Sequence, residues 1–293
     1  MSGKITKQDL NLLTQIASFK IITVRQLSVI SQRTCQVIRR RLRFLQDEGL
    51  IIRRMRGYGR ARGRPEEFIL LTGEGFALLQ KKGTISEQYT SLSDKAANEI
   101  PADHDLLLNW FHVHLLQIGR LKPQFSIRCI TTNSQPSTDS IFSKAFKFIP
   151  DGVFSITNSA TKSSLLFFLE VDMGTETMAS TSRSSGNDVR HKIINYQSLF
   201  GSNRYKLCER IFAAEFNGFR LLFLANTNAR LVKLADLVHE MPPSDFIWLT
   251  DQDKMFSHGL ADKTWVRGGK THAPTQSILR NMACKASVSG NIK

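Results

Sequence analysis

Apolar positions in the first eighty residues recur first at helical and then at strand spacing. From Lys7 to Ala17, Leu10, Leu13 and the Ile16–Ala17 pair return every three or four residues, which predicts an amphipathic helix. A second helix is predicted to start at Thr23, where Gln26 completes a capping box and Val24, Leu27 and Ile30 face inward. The third runs from Thr34 to Glu48, with Ile38, Leu42 and Leu45 as its stripe and Gly49 as its stop. "GLIIRRM" then reads as a strand, "RGYGRARGRP" as a Gly-rich turn, "EEFILLT" as the returning strand and "GEGFALLQ" as a closing helix. Three helices followed by a two-stranded wing make a winged helix-turn-helix over residues 1–80. In that arrangement the third helix enters the major groove and the wing follows the backbone or minor groove.

Residues 81–103 are polar and rich in Ser and Thr, and read as a linker. The pattern resumes with "HDLLLNWFHVHLLQIGRL", long and apolar enough for a buried helix. Strands follow at 125–130, 151–156 and 164–172, then a helix from Asn187 to Phe200 with Val189, Ile193, Tyr196 and Phe200 on one stripe. A strand at 219–225, a helix over "ARLVKLADLVHEM" and a strand at 246–250 complete a domain over 104–256. From 257 to 293 the chain is polar and mildly basic, which predicts a partly irregular tail. Helix, three strands, helix, strand is the core order of a restriction-endonuclease-like mixed-sheet domain of the PD-(D/E)xK type. The expected fold class is therefore two-domain, a winged helix followed by that α/β unit.

Charge sharpens the first half of this reading. The chain has 293 residues, 41% hydrophobic and 22% charged, with 40 Lys+Arg against 25 Asp+Glu, a net charge of +15. Such a balance points to a polyanion partner. Residues 1–80 hold 15 Lys+Arg and 6 Asp+Glu, a net +9, so the excess lies on the winged helix. Its third helix presents Arg33, Gln36, Arg40 and Arg43, flanked by Arg39 and Arg41; the wing loop carries Arg56, Arg60, Arg62 and Arg64, with Tyr58 placed to stack or to pack. Eleven Lys+Arg between residues 33 and 64 face only Asp47 and Glu48, more than a merely solvated helix face needs. No apolar run approaches the roughly 18 residues of a membrane span, and "MSGKITKQDL" lacks the apolar stretch of a secretory signal. Cys35, Cys129, Cys208 and Cys284 are scattered, without metal-ligand spacing, as in a reduced cytoplasmic protein.

The second half holds three acids in an unusual place. Asp151 opens one apolar run, and Glu170 and Asp172 close the next, after "LLFFL". Alternation puts Glu170 and Asp172 on one face of their strand. If 151–157 and 165–172 pair as a hairpin, Asp151 falls opposite residue 171, give or take one, close to both. Three carboxylates so gathered repel one another, and a hard divalent cation removes the conflict. The plainer alternative is that Asp151 caps a turn while Glu170 and Asp172 pair with Arg190 or Lys192.

The winged helix, the "H-x-L-L" helix, "PDG…FLEVDMGTE" and "HKIINY" together resemble the replication-relaxation family, and within it MobC-type plasmid mobilisation relaxases. The resemblance spans roughly residues 5–250 and lies in the order of short motifs. It implies metal-dependent nicking of supercoiled, double-stranded plasmid DNA at a transfer origin, with Mg²⁺ or Mn²⁺ at Asp151 and Glu170, and Asp172 beside them. Other mobilisation proteins and a second copy of the chain are further candidate partners. One position departs from the nuclease pattern: Asp172 stands where acid–x–lysine would place the lysine. Lys192, one turn before Tyr196, is the candidate replacement, with a simple Asp188–Lys192 helix pair as its alternative. "HVH" at 112–114 matches the spacing of tyrosine-dependent relaxases, but on a helix the two side chains diverge by about 200°. The rival from another class is a non-enzymatic regulator of plasmid replication or transcription with an inactive nuclease-like domain.

Overall fold

Four threonines fix where the N-terminal helices begin. In the computed structural model, which describes residues 4–55, 67–85, 103–134, 136–178 and 188–280, Thr6, Thr23, Thr34 and Thr72 lie in extended backbone. Each accepts a hydrogen bond from the amide three residues on, satisfying an orphan helical N–H. The helices they start are α1 (Lys7–Ser18), α2 (Val24–Ser31), α3 (Cys35–Asp47) and α4 (Gly73–Lys81). The predicted Thr23–Gln26 capping box is present, and Thr6 and Asp9 form a second one that the hydrophobic pattern could not signal.

Strands β1 (Ile22–Thr23), β2 (Ile51–Met55) and β3 (Glu67–Leu71) form an antiparallel sheet in the order β1-β3-β2. With α1 to α4 they make a winged helix, as the periodicity predicts. The wing loop, with Tyr58, Arg60, Arg62 and Arg64, lies outside the described residues, as does the linker stretch 86–102. Leu13, Ile16, Leu27, Ile38, Leu42, Leu45, Ile69 and Leu79 form the core. Helix α4 closes against it through Gly75, where a β-carbon would run into the Leu50 carbonyl oxygen.

The next helix, α5 (Asp103–Leu121), is expected as the first element of the second domain, yet it contributes Val113, Trp110 and Leu116 to the winged-helix core. Two buried amides tie it there. Asn109 Nδ2 donates to the Ile21 carbonyl at 2.6 Å, and Gln26 Nε2 donates to the Leu106 carbonyl at 3.1 Å. Buried amides hold position only when paired in this way. The described residues divide by contact into one unit drawn from Met1–Gln117 and Ile130–Gly152, and a second from Ile118–Cys129 and Val153–Lys293.

A six-stranded sheet organises the second unit, in the order β4-β5-β6-β7-β8-β9. Its strands are β4 (Phe125–Thr131), β5 (Gly152–Asn158), β6 (Ser164–Asp172), β7 (Phe219–Ala225), β8 (Ile247–Asp251) and β9 (Val266–Arg267). The five-residue turn from Ser159 to Ser163 makes β5 and β6 a hairpin, closed by Asn158 N donating to Ser163 O at 2.9 Å. Strands β6, β7 and β8 run parallel, with Asp172 beside Ala225 and Ala225 beside Asp251. Buried on both faces, they read as continuous apolar runs. Helices α7 (Val189–Gly201) and α9 (Asn228–His239) make the crossovers. Three short helices, α6 (Thr138–Phe142), α8 (Leu207–Phe212) and α10 (Gln252–His258), are not predicted from the pattern. The stretch after Ser257, expected as a tail, packs through Leu260, Trp265 and Ile278, all buried, and adds β9 to the sheet edge.

Candidate functional site

On α3 the buried stripe of Ile38, Leu42 and Leu45 turns the opposite face to solvent. Gln36, Arg39, Arg40 and Arg43 are exposed there, within an arc of about 100° on the helix. Arg33, in the turn before the helix, is half-buried. Arg41 does something else. Its Nε donates to Asp9 Oδ1 at 2.7 Å, its second arm reaches Asp9 Oδ2, and its guanidinium lies 4.5 Å from the Phe44 ring centre. Burial works to raise the Asp9 pKa, but Arg41 and Thr6 outweigh it and hold the carboxyl below its ordinary range. Arg41 therefore anchors α3 to α1, and its neighbours supply the outward charge.

At the carboxyl ends of the parallel strands the acids are buried and paired. Glu170 is 3% exposed and Asp172 is 6% exposed, so each must find partners. Tyr196 donates its hydroxyl to Glu170 Oε1 at 2.6 Å, and Lys192 Nζ lies 3.2 Å from Oε2 and 2.8 Å from Glu176 Oε1. The lysine thus reaches the strand acid from α7, one turn before the tyrosine that shares it. Asp172 is gripped by Arg230 from the first turn of α9, Nε to Oδ1 at 2.8 Å and Nη2 to Oδ2 at 2.9 Å. Gly174 N also donates to its Oδ1 at 2.7 Å. Of the two cations weighed for these acids, Lys192 takes Glu170; the partner of Asp172 is Arg230, 58 residues away, which the sequence reading missed. Asp188 caps α7, accepting from His191 N at 2.8 Å. Strand β8, two strands along the sheet from β6, ends in buried Asp251, bridged by Lys254 at 2.6 Å.

Asp151 belongs to the first unit, where its Oδ2 lies 3.0 Å from His104 Nε2. Burial disfavours charge on His104, but hydrogen bonds to Asp105 and Asp151 more than offset it and raise its pKa to about 10. His112 and His114 both lie on α5. His112 packs against Phe19 at 4.8 Å between ring centres, and burial pushes its pKa down to about 4; burial also lowers that of His114. Neither ring is presented as part of a paired metal site: among the described residues no group of three or more His, Cys, Asp and Glu side chains is arranged to hold a metal ion.

A winged helix with a basic third helix, continued by an α/β unit with paired acids at its strand ends, is the class of molecule these features define. A family model described as replication-relaxation matches residues 13–212, more than half of the chain, and the chain belongs to that family. No curated protein matches it. Among solved structures it is similar to a Halomicrobium mukohataei protein with a GntR superfamily winged-helix-turn-helix domain, at 24% identity and a TM-score of 0.25, over 27% of this chain and 59% of that one. A mutant of Lactococcus lactis ZitR gives 17% identity and a TM-score of 0.24, over 30% and 56%. The S. aureus MepR–DNA complex gives 22% and 0.23, over 29% and 68%. The chain thus spans little more than half of the first two. No helix of the described residues is long and apolar enough to cross a membrane.

Proposed function

We propose that the chain nicks supercoiled plasmid DNA at a transfer origin, with α3 locating the duplex and the second unit, read as restriction-endonuclease-like, cutting one strand. The observation that carries this reading is the ion pair between Lys192 and Glu170. It brings the lysine that the strand motif lacks to the strand acid, from the following helix. In the proposed step Glu170 accepts a proton from a water whose oxygen attacks phosphorus. The bond to the leaving 3′ oxygen breaks, and that oxygen takes its proton from solvent. Lys192 offsets the charge gathering on the phosphate oxygens.

The donor set described above does not by itself fit Mg²⁺ or Mn²⁺. Both Asp172 oxygens are occupied by Arg230, and no three-acid group is gathered among the described residues. A metal requirement and the metal-ligand roles of Asp151, Glu170 and Asp172 are thus expectations from the spacing of the acids and from the family resemblance. A second reading, a DNA-binding regulator without catalysis, is favoured by one feature: Arg230, Lys192 and Tyr196 satisfy the buried acids internally. The test is incubation of the full chain with supercoiled cognate plasmid, with Mg²⁺ or Mn²⁺ and with EDTA. Conversion to open circles supports the nickase; none under any condition supports the regulator.

A further inference from the structure

A cavity of about 690 Å³ opens at the other end of the parallel strands from Glu170 and Asp172, over the starts of β6, β7 and β8. Its wall joins two kinds of side chain. Arg220, Arg267 and Arg280 bring three positive charges, against the single carboxylate of Asp245. That carboxylate is shared between Arg267 Nη2 at 3.6 Å and Lys270 Nζ at 3.3 Å. Phe200, 37% exposed, lines the same opening, its ring centre 5.0 Å from that of Phe246, 5.3 Å from that of Phe219 and 6.1 Å from that of Tyr205.

Arg220 is built in rather than solvated. Its guanidinium lies 4.5 Å from the Trp248 ring centre, and it donates to the carbonyls of Ile278 at 2.6 Å and Arg280 at 3.3 Å. Burial first, then the charges of Arg267 and Arg280, push its pKa down to about 10. It stays a cation at neutral pH, at a cost that a bound anion would relieve. Fixed guanidinium groups suit phosphate, and a partly exposed aromatic ring suits a base. Their pairing in a concave site suits a base free of a duplex, because a duplex base is already stacked and paired.

We propose that this cavity binds a nucleotide of single-stranded DNA, its phosphate against Arg220, Arg267 and Arg280 and its base on Phe200. The site is separate from the Glu170–Lys192 pair and does not depend on nicking. The test is fluorescence anisotropy of the full chain with a labelled short oligothymidylate and with a blunt duplex, in an Arg39→Ala, Arg40→Ala, Arg43→Ala background that weakens the α3 contribution. Adding Arg267→Ala and Arg280→Ala should lower oligothymidylate affinity about tenfold and leave duplex affinity within about twofold. Phe200→Ser should lower oligothymidylate affinity alone, several-fold, and Arg280→Ala by itself serves if the double change lowers the melting temperature. Equal losses on both probes, no loss on either, or displacement by inorganic phosphate as effective as by unlabelled oligothymidylate would overturn the proposal.

Discussion

Glu170 and Asp172 stand two residues apart on one strand face, and each is neutralised from a different helix. Breaking one partner of a buried pair leaves an unpaired charge, costing about 3–5 kcal/mol. Arg230→Ala should therefore lower unfolding free energy by about that much in urea titrations, whereas Lys192→Ala, whose ammonium is more exposed, should cost much less. Comparable losses would mean that the two acids are not held as described. Two histidines of α5 set opposite pH limits. The pKa of His104 is raised, so its contribution is full below about 6.5 and is lost as pH rises towards 10. That of His112 is lowered, so its contribution is full above about 6.5 and is lost as pH falls towards 4. Thermal melts across pH should show His104→Gln flattening the alkaline limb and His112→Phe the acid limb. Unchanged limbs would contradict the burial and pairing assigned to each ring.

Helix α3 divides its arginines by task. Arg39→Ala, Arg40→Ala and Arg43→Ala together should weaken duplex binding at least tenfold, and flatten its dependence on salt by about three phosphate contacts, with little change in melting temperature. Arg41→Ala should do the reverse, because it releases buried Asp9. An Arg41→Ala variant as stable as wild type would contradict the anchor. At this scale the periodic pattern was legible: α1 to α4, β2, β3 and β4 to β8 fall where apolar residues recur, because the helices bury one face and the parallel strands bury both. Helices of five to seven residues were not legible, since α6, α8 and α10 are too short to repeat a stripe. Two-residue β1 and β9 exist only through their partners.

Across the whole molecule, legibility stops where distant chain segments meet. Lys192 could be named from the sequence because it lies on the predicted helix after the strand acids, near the apolar stripe containing Tyr196. Arg230 could not, because only the parallel pairing of β6 with β7 brings the start of α9 to Asp172. Nor does apolar spacing reveal that α5 packs with the winged helix, because its fixing groups, Asn109 and Gln26, are polar. The nickase reading has the basic helix locating DNA while Glu170 and Lys192 act on it. Its most direct test is relaxation of supercoiled cognate plasmid by wild type, Glu170→Gln and Lys192→Ala, compared at equal DNA occupancy. A nickase of this design requires relaxation by wild type and losses of about a hundredfold or more in both variants, with DNA affinity retained. Equal relaxation by all three, or none by wild type, would contradict it.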